Sequence, residues 1–314
     1  MDPTLRFLTL PDDRHLEPSE IERIDLAVFS ADLWRRQRSA PFMKVVLQAP
    51  NVQWLHMFSA GLDNPVFAML MQRGVAVTHS AGSSAVPIAH SVIMHVIGMC
   101  RNARSLAIAQ SEARWDNRDA LDVEGRRLTV VGLGAIGSEV ARLAAAFGMH
   151  VTGLRRTPTG DEPCRTLSVD RLHDVLPATD DLVLTAPLTP DTRGLIGATE
   201  LALLPAGAHL VNVGRGELLD EPALIDSLRA GHLGAAALDV FAVEPLPADS
   251  PLWAMPNVTV TPHNSGATDL AARRAADVFE DNLRRFTTGA ALRNLGVPPT
   301  AGRRRRDAAP ATSW

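Results

Sequence analysis

The chain has little of what marks secreted, metal-stapled or membrane-bound proteins. Of its 314 residues only two are cysteines, Cys100 and Cys164. They are too few for a disulfide framework and match no metal-ligand spacing, so a reducing compartment and no metal are expected. No apolar run reaches the ~20 residues that a membrane-spanning helix needs. The opening stretch, MDPTLRFLTLPDD, carries acids where a secretory signal needs a basic start and an apolar core. The cytoplasm is therefore the expected location. An excess of charge is missing too. A formal net charge of −4 on a chain that is 46% hydrophobic describes an ordinary globular protein and points to no nucleic-acid partner. The four arginines at 303–306 are read as part of a solvated, disordered tail over 299–314. A chain of this length has room for about two domains with substantial cores.

What is present centres on residues 128–156. Leu128, Thr129, Val130 and Val131 form a short apolar, β-branched run, the pattern of a buried parallel strand. Gly132-x-Gly134-x-x-Gly137 follows at once. Apolar residues then recur at Ile136, Val140, Leu143, Ala144 and Phe147, a helical period that stops at Gly148, and a second strand is expected at 150–154. In such a strand-turn-helix-strand unit Gly132 permits the tight turn. Gly134 lets backbone amides approach a pyrophosphate, and Gly137 lets the helix pack close to the strand. The helix start offers unpaired N–H groups and a partial positive charge to phosphates. The pattern predicts dinucleotide binding.

The end of the second strand bears on which dinucleotide. An NAD-binding unit usually carries an acid there that accepts hydrogen bonds from the ribose hydroxyls. This chain has Arg155 and Arg156, with the nearest acids, Asp161 and Glu162, beyond the loop. Arginine can pair a 2′-phosphate, each charge-assisted bond contributing roughly 1.5–3 kcal/mol. One such bond would favour NADPH over NADH by about ten- to a hundredfold. NADP is thus the expected cofactor, with NAD usable. The plainer alternative is a pair of solvated surface arginines.

Elsewhere the chain alternates short strands and helices. Strands are expected at 5–10, 25–29, 52–58 and 75–78, with helices at 35–48 and 64–73, making a small α/β unit ahead of the nucleotide-binding one. Ser59-Ala60-Gly61 follows the third of these strands, where ligands bind in open α/β sheets, though by itself the tripeptide is an ordinary loop. A long, mostly apolar helix is expected over 85–104. Its His90 and His95 read as packed residues and are assigned no catalysis. Further on, helices are expected at 169–176, 221–230 and 271–286, and strands at 181–186, 208–213, 234–240 and 257–261. Strands and helices alternating over this distance imply a parallel sheet.

Several segments of this stretch resemble the D-isomer-specific 2-hydroxyacid dehydrogenases: VNVGRGELLDEPAL at 211–224, AALDVFAVEPLP at 236–247 and NVTVTPHNSGAT at 257–268. LTAPLTPDTRGLI at 184–196 and SAGLDN at 59–64 are also similar to segments of that family. The resemblance extends to about residue 297. It implies an α/β protein of two Rossmann-like or flavodoxin-like domains with parallel sheets and an active-site cleft between them. One is a discontinuous substrate domain, residues 1–97 with 267–298, and the other a dinucleotide-binding domain, residues 98–266. Carried over position by position, it makes Arg215 the substrate-binding arginine, Glu244 the acid and His263 the catalytic histidine. Asp239 matches the aspartate near the nicotinamide. Ala60 and Gly61 match the loop whose amides hold the substrate carboxylate. Ala135 and Ile136 join the three glycines as cofactor-binding positions, as do Pro187, Thr192, Val213 and Gly214.

The chemistry explains these residue types. Reducing a 2-oxo acid delivers a hydride to the carbonyl carbon and a proton to its oxygen. An imidazolium at His263 can supply that proton, a role worth about 10²–10⁴-fold in rate. Glu244 beside it would favour the charged ring, and the planar fork of Arg215 can hold a carboxylate and polarise a carbonyl. The expected activity is hydride transfer between NAD(P)H and a small 2-oxo acid or D-2-hydroxy acid, glyoxylate and hydroxypyruvate among the candidates. The alternatives are a non-enzymatic NAD(P)-sensing, corepressor-like protein of the same fold, and, with little room left by residues 239–263, another Rossmann enzyme such as a methyltransferase. A homodimer is implied, with residues 101–119 in its contact. The chain departs from the family pattern at Ile88-Ala89-His90-Ser91, where Val-Ala-Glu-His is usual, and at His79 and Ala81, where Asn and Pro are common. No counterpart of the extra regulatory domain of some phosphoglycerate-oxidising relatives is expected, which weighs against a role in serine biosynthesis without excluding it.

Overall fold

In the computed structural model, which describes residues 6–59, 61–62 and 64–296, the strands lie in two sheets whose pairings are all parallel. The chain divides into two units, one running to Ala81 and resuming at Ala272, the other spanning Gly82–Ala271.

The first unit holds β1 (Leu26–Phe29), β2 (Trp54–Met57) and β3 (Ala76–His79), in that order across the sheet. Its core gathers Phe29, Phe42, Val46, Leu55, Phe67, Leu70 and Val77. The helix Pro65–Gln72 begins where Asn64 accepts the Val66 N–H (3.0 Å) and Pro65 needs no donor partner, and it stops before Gly74 at φ +86°. The C-terminal helix Ala271–Thr288 lays Phe279 and Phe286 on Trp54, with ring centroids 5.7 and 5.1 Å away. Two expectations are corrected here. Residues 6–10 form no strand, and Phe7 (70% exposed) and Leu8 (47%) bury no face that would hold one. The helix expected over 35–48 is two, Ala31–Arg35 and Ser39–Gln48, because Gln37 between them is left-handed at φ 55°.

The second unit is one seven-stranded sheet of β4 (Arg127–Val131), β5 (His150–Arg155), β6 (Arg165–Ser168), β7 (Asp181–Leu184), β8 (Ala208–Asn212), β9 (Leu233–Leu238) and β10 (Val258–Val260). Its order is β10-β9-β8-β7-β4-β5-β6. The chain leaves β4 toward one edge, then returns to lay β7 on the other side, so the switch in direction falls between β4 and β7. Every residue of β7 and β8 is buried, which is why these strands read as apolar runs rather than alternations. The sequence reading missed β6, whose residues are only partly covered, and it missed the short helix Ala198–Leu203. The helix expected at 169–176 is a four-residue helix, Leu172–Val175, between two 3₁₀ turns.

The helix expected over 85–104 ends at Cys100. Asn102 takes φ 55°, and a second helix runs Ala103–Ser111. Ala89, Val92, Ile93 and Val96 of the first share a core with Val140, Ala141 and Ala144 of the helix Ala135–Ala146. That packing assigns residues 82–97 to the larger unit, so the division falls at 81/82 and 271/272 instead of the expected 97/98 and 266/267. No helix among the described residues is long and apolar enough to cross a membrane.

At the amino ends of the strands lies a buried charge network. Arg126 Nε donates to Asp181 Oδ2 (2.7 Å), and His209 Nδ1 lies 3.0 Å from Asp181 Oδ1. Cys100 Sγ lies within 4.8 Å of a carboxylate oxygen of Asp181 and of a ring nitrogen of His209. Its thiol is pushed up to about 11 by burial, and Arg126 already engages the carboxylate, so the cluster is organised as an ion-pair network.

His56 of β2 is buried at 1% exposure between Thr78 Oγ1 (2.8 Å) and Ser80 Oγ (3.1 Å). Burial, aided by the nearby imidazole of His79, lowers it from the ordinary 6.5 to about 4. The folded unit therefore excludes a proton that the unfolded chain accepts, so this contribution is present above pH 6.5 and is lost as pH falls toward 4. Denaturant unfolding between pH 7 and pH 4.5 should show stability falling with acid, with a shallower slope in His56→Asn. Equal slopes would refute the burial account.

Candidate active site

The carboxyl edge of the larger sheet is where the expected site residues of this unit gather. β4 ends in Gly132 at φ +103°, and a Cβ there would stand 2.5 Å from the Ala186 backbone nitrogen, just past β7. Thr185 Oγ1 donates to Gly132 O at 2.6 Å and pins the turn. At Gly137 a Cβ would run into the Gly132 carbonyl, so the helix can approach the strand only with hydrogen in that place. Gly134 differs: a Cβ there meets nothing within 4 Å, and the helix Ala135–Ala146 that it starts has no side-chain cap. Exposed Gly134 and Ala135, with partly buried Ile136, thus leave open space before uncapped N–H groups. That is the cradle a pyrophosphate needs, and the residues fit a dinucleotide.

β5 ends at Arg155. Its Nη1 donates to Glu162 Oε1 at 3.0 Å, an acid that lies beyond the loop in sequence. Glu162 also accepts the Thr159 N–H (2.6 Å), Thr159 hydroxyl (2.9 Å) and Gly160 N–H (2.8 Å). These bonds, the Thr159 N–H foremost, hold its carboxyl down to about 2. Arg156 is exposed. Past β7, Thr192 Oγ1 donates to Pro187 O at 2.7 Å and closes the 187–192 turn.

Beyond β8, the Asn212 side chain accepts the Gly214 N–H (3.0 Å) and donates to Arg215 O (2.9 Å), shaping the Val213-Gly214-Arg215 turn. Arg215 Nη1 donates to Gly214 O (2.8 Å). A Cβ on the next residue, Gly216, would run into the Phe241 carbonyl carbon, so this turn lies directly on the loop that carries Glu244.

His263 follows β10 and sits at φ 50°, a left-handed conformation that few non-glycine residues adopt. Its N–H donates to Asp239 O (2.8 Å). The Asp239 side chain, buried at 2%, accepts from Thr261 Oγ1 (2.6 Å), Asn264 N–H (3.0 Å) and Ser265 N–H (3.1 Å). One buried carboxylate therefore ties down the whole 261–265 loop. His263 Nδ1 then lies 2.8 Å from Glu244 Oε2, with the side chains 52% and 36% exposed. Glu244 Oε1 accepts the Phe241 N–H (3.1 Å), which orients it.

Of the expected site residues, His263 and Glu244 are in direct contact, and the Arg215 turn lies against the Glu244 loop through Gly216. Gly61 is described as a partly buried loop residue of the smaller unit, and Ala60 lies outside the described residues. The sequence reading missed Asn212, Thr185, Gly216 and the pairing of Glu162 with Arg155. Only Gly216 left a signal, a second glycine flanking Arg215. Among the departures, Ser91 Oγ donates to Ser265 O (3.3 Å), just past His263, while His79 Nδ1 is buried without a hydrogen-bond partner.

A parallel sheet with a glycine turn at its switch point, and with a glutamate, a histidine and an arginine along the same edge, fits a dinucleotide-dependent oxidoreductase. Residues 93–265 match the family model described as D-isomer specific 2-hydroxyacid dehydrogenase, NAD binding domain. The chain belongs to this family of NAD(P)-dependent enzymes. It is 32% identical over 297 residues to a glyoxylate/hydroxypyruvate reductase B of Citrobacter koseri, covering 92% of this chain and 91% of that one. It is 31% identical over 255 residues to a D-3-phosphoglycerate dehydrogenase of Methanocaldococcus jannaschii, covering 80% of this chain and only 48% of that relative. Among solved structures, a D-isomer specific 2-hydroxyacid dehydrogenase from Xanthobacter autotrophicus Py2, in complex with NADPH and MES, superposes with TM-score 0.74 at 35% identity. That match covers 88% of this chain and 86% of the other.

Gly216→Ala should force the Arg215 turn off the Phe241 loop. The expected cost is about 2 kcal/mol, or about 4–8 °C in Tm. Thermal unfolding checks it, and an unchanged Tm would show that the close approach is not needed.

Proposed function

We propose that the chain reduces a small 2-oxo acid to the D-2-hydroxy acid with NADPH, His263 supplying the proton. The observation that carries this reading is the 2.8 Å contact between His263 Nδ1 and Glu244 Oε2 at the carboxyl edge of the sheet. With Nδ1 engaged by the carboxylate, Nε2 is the ring nitrogen left to protonate a substrate oxygen. Glu244 is held in turn by the Phe241 N–H, so it steadies the ring in its orientation. Arg215 pairs the substrate carboxylate and draws electron density from the adjacent carbonyl. Gly61 is assigned the substrate carboxylate by the resemblance. Bound NADPH supplies the hydride. Gly132, Gly134 and Gly137 seat its pyrophosphate, residues 187–192, 213–214 and 239 belong to the same edge, and Arg156 meets its 2′-phosphate. Glyoxylate and hydroxypyruvate are the first substrates to try, as the name of the Citrobacter relative suggests.

Residues 101–119 are proposed to form part of a homodimer contact. Trp115 is 95% exposed, and Leu106 and Leu121, at 41% and 48%, add apolar surface nearby. Trp115→Glu should shift the protein from dimer to monomer in light scattering, and a wild-type monomer would end this assignment.

The chemical reading is tested by nicotinamide absorbance loss with a panel of 2-oxo acids and both cofactors. NADPH should give at least about tenfold higher kcat/KM than NADH, the worth of one charge-assisted phosphate bond. His263→Ala and Glu244→Gln should each keep NADPH binding while cutting turnover at least about a hundredfold. Near-normal turnover in either variant removes the mechanism. Cofactor binding without turnover on any acid would favour a nucleotide sensor.

A further inference from the structure

The two arginines at the end of β5 are not equivalent. Arg155 is paired with the chain's own Glu162, whose side chain is only 5% exposed. Around that carboxylate stand a guanidinium, two backbone N–H groups and a hydroxyl, from Arg155, Thr159 and Gly160. This is the donor set of an anion site, and a carboxylate of the protein already fills it. Asp161, which accepts from the Thr159 hydroxyl, adds a second negative charge to the same loop. Arg156 is exposed and has no hydrogen-bond or ion-pair partner among the described residues.

We propose that Glu162 sets the cofactor discrimination of this chain: by neutralising Arg155 and tying up the loop's N–H groups, it leaves the 2′-phosphate a single arginine, Arg156. The inference rests on the dinucleotide site proposed above. Position 155 ends the strand after the glycine turn, where an NAD-binding unit places its ribose-binding acid. The internal pair Arg155–Glu162 removes the charge of either sign from that position. What remains is one exposed cation on a loop that Glu162 holds in shape. The arrangement grades the preference for NADPH and leaves NADH acceptable, whereas two free arginines would bind the phosphate far more tightly.

The test measures Kd for NADPH and NADH by nicotinamide fluorescence on the purified full chain. Glu162→Gln keeps an acceptor for the N–H groups and frees the Arg155 charge. The NADH-to-NADPH Kd ratio should then rise about 3- to 10-fold, the effect of one extra charge several ångströms away in a partly solvated site. Arg155→Gln combined with Glu162→Gln removes both charges and should return the ratio to within about twofold of wild type, since the two charges cancel at that site. Arg156→Gln, a change at an exposed residue, should by itself abolish the preference. If Glu162→Gln weakens both cofactors equally, its role is structural only and the proposal fails. A preference above about tenfold surviving in Arg156→Gln, the worth of one phosphate bond, would show Arg155 binding the phosphate and also overturns it. Neither dinucleotide binding to the wild-type chain would instead bring down the cofactor reading itself.

Discussion

The larger unit depends on how closely β4 and β7 approach at the point where the chain reverses its direction across the sheet. Gly132 turns with its hydrogen where any Cβ would stand 2.5 Å from the Ala186 nitrogen, and Thr185 locks that turn from the β7 side. A crevice opens at such a point because the crossovers from the two strands leave in opposite directions. Once β4 and β7 are neighbours, the parallel pairing puts the loops after β5, β8, β9 and β10 on the same edge. Arg155, Arg215, Asp239 and His263 share that edge although 108 residues separate the first from the last.

Charge is used differently at the two ends of this sheet. At the amino edge Asp181 and His209 are buried and Arg126 is partly buried, so their mutual pairing offsets a desolvation cost that the carboxylate alone would leave uncompensated. At the carboxyl edge His263 and Glu244 remain half and one-third exposed, where an ion pair adds at most about 1 kcal/mol to stability. Folding gains little from holding an imidazole at φ 50° beside a carboxylate in water. Backbone strain of that kind, held by the buried Asp239, is what a site under functional constraint shows. Asp239 thus acts at one remove: its three accepted hydrogen bonds fix the loop, and the loop presents the ring.

The larger unit was mostly legible in the amino-acid order because its central strands are buried on both faces and read as unbroken apolar runs. Its helices carry clear stops in Gly148 and Gly231, both at positive φ. Legibility failed where local pattern and tertiary cover disagree. Residues 6–10 are apolar enough to read as a strand but pair with none. β6 is half-covered and looks like loop. The helix through Cys100 keeps its apolar period past Asn102, yet a left-handed residue there ends it. The domain boundary followed the same logic, since only packing against the helix Ala135–Ala146 shows to which unit residues 82–97 belong.

By itself the sequence determined the strand-turn-helix unit, the glycines whose absent side chains make it work, and the residue types that proton and carboxylate chemistry require. These are local or compositional properties, so spacing along the chain suffices to express them. Tertiary structure decided which arginine is free and which is neutralised, that Asp239 anchors a loop, and that Gly216 presses the arginine turn against the acid's loop. Each of these is a contact between segments far apart in sequence or folded back through a turn. Burial, hydrogen-bond partners and net local charge come into being only when the chain closes on itself.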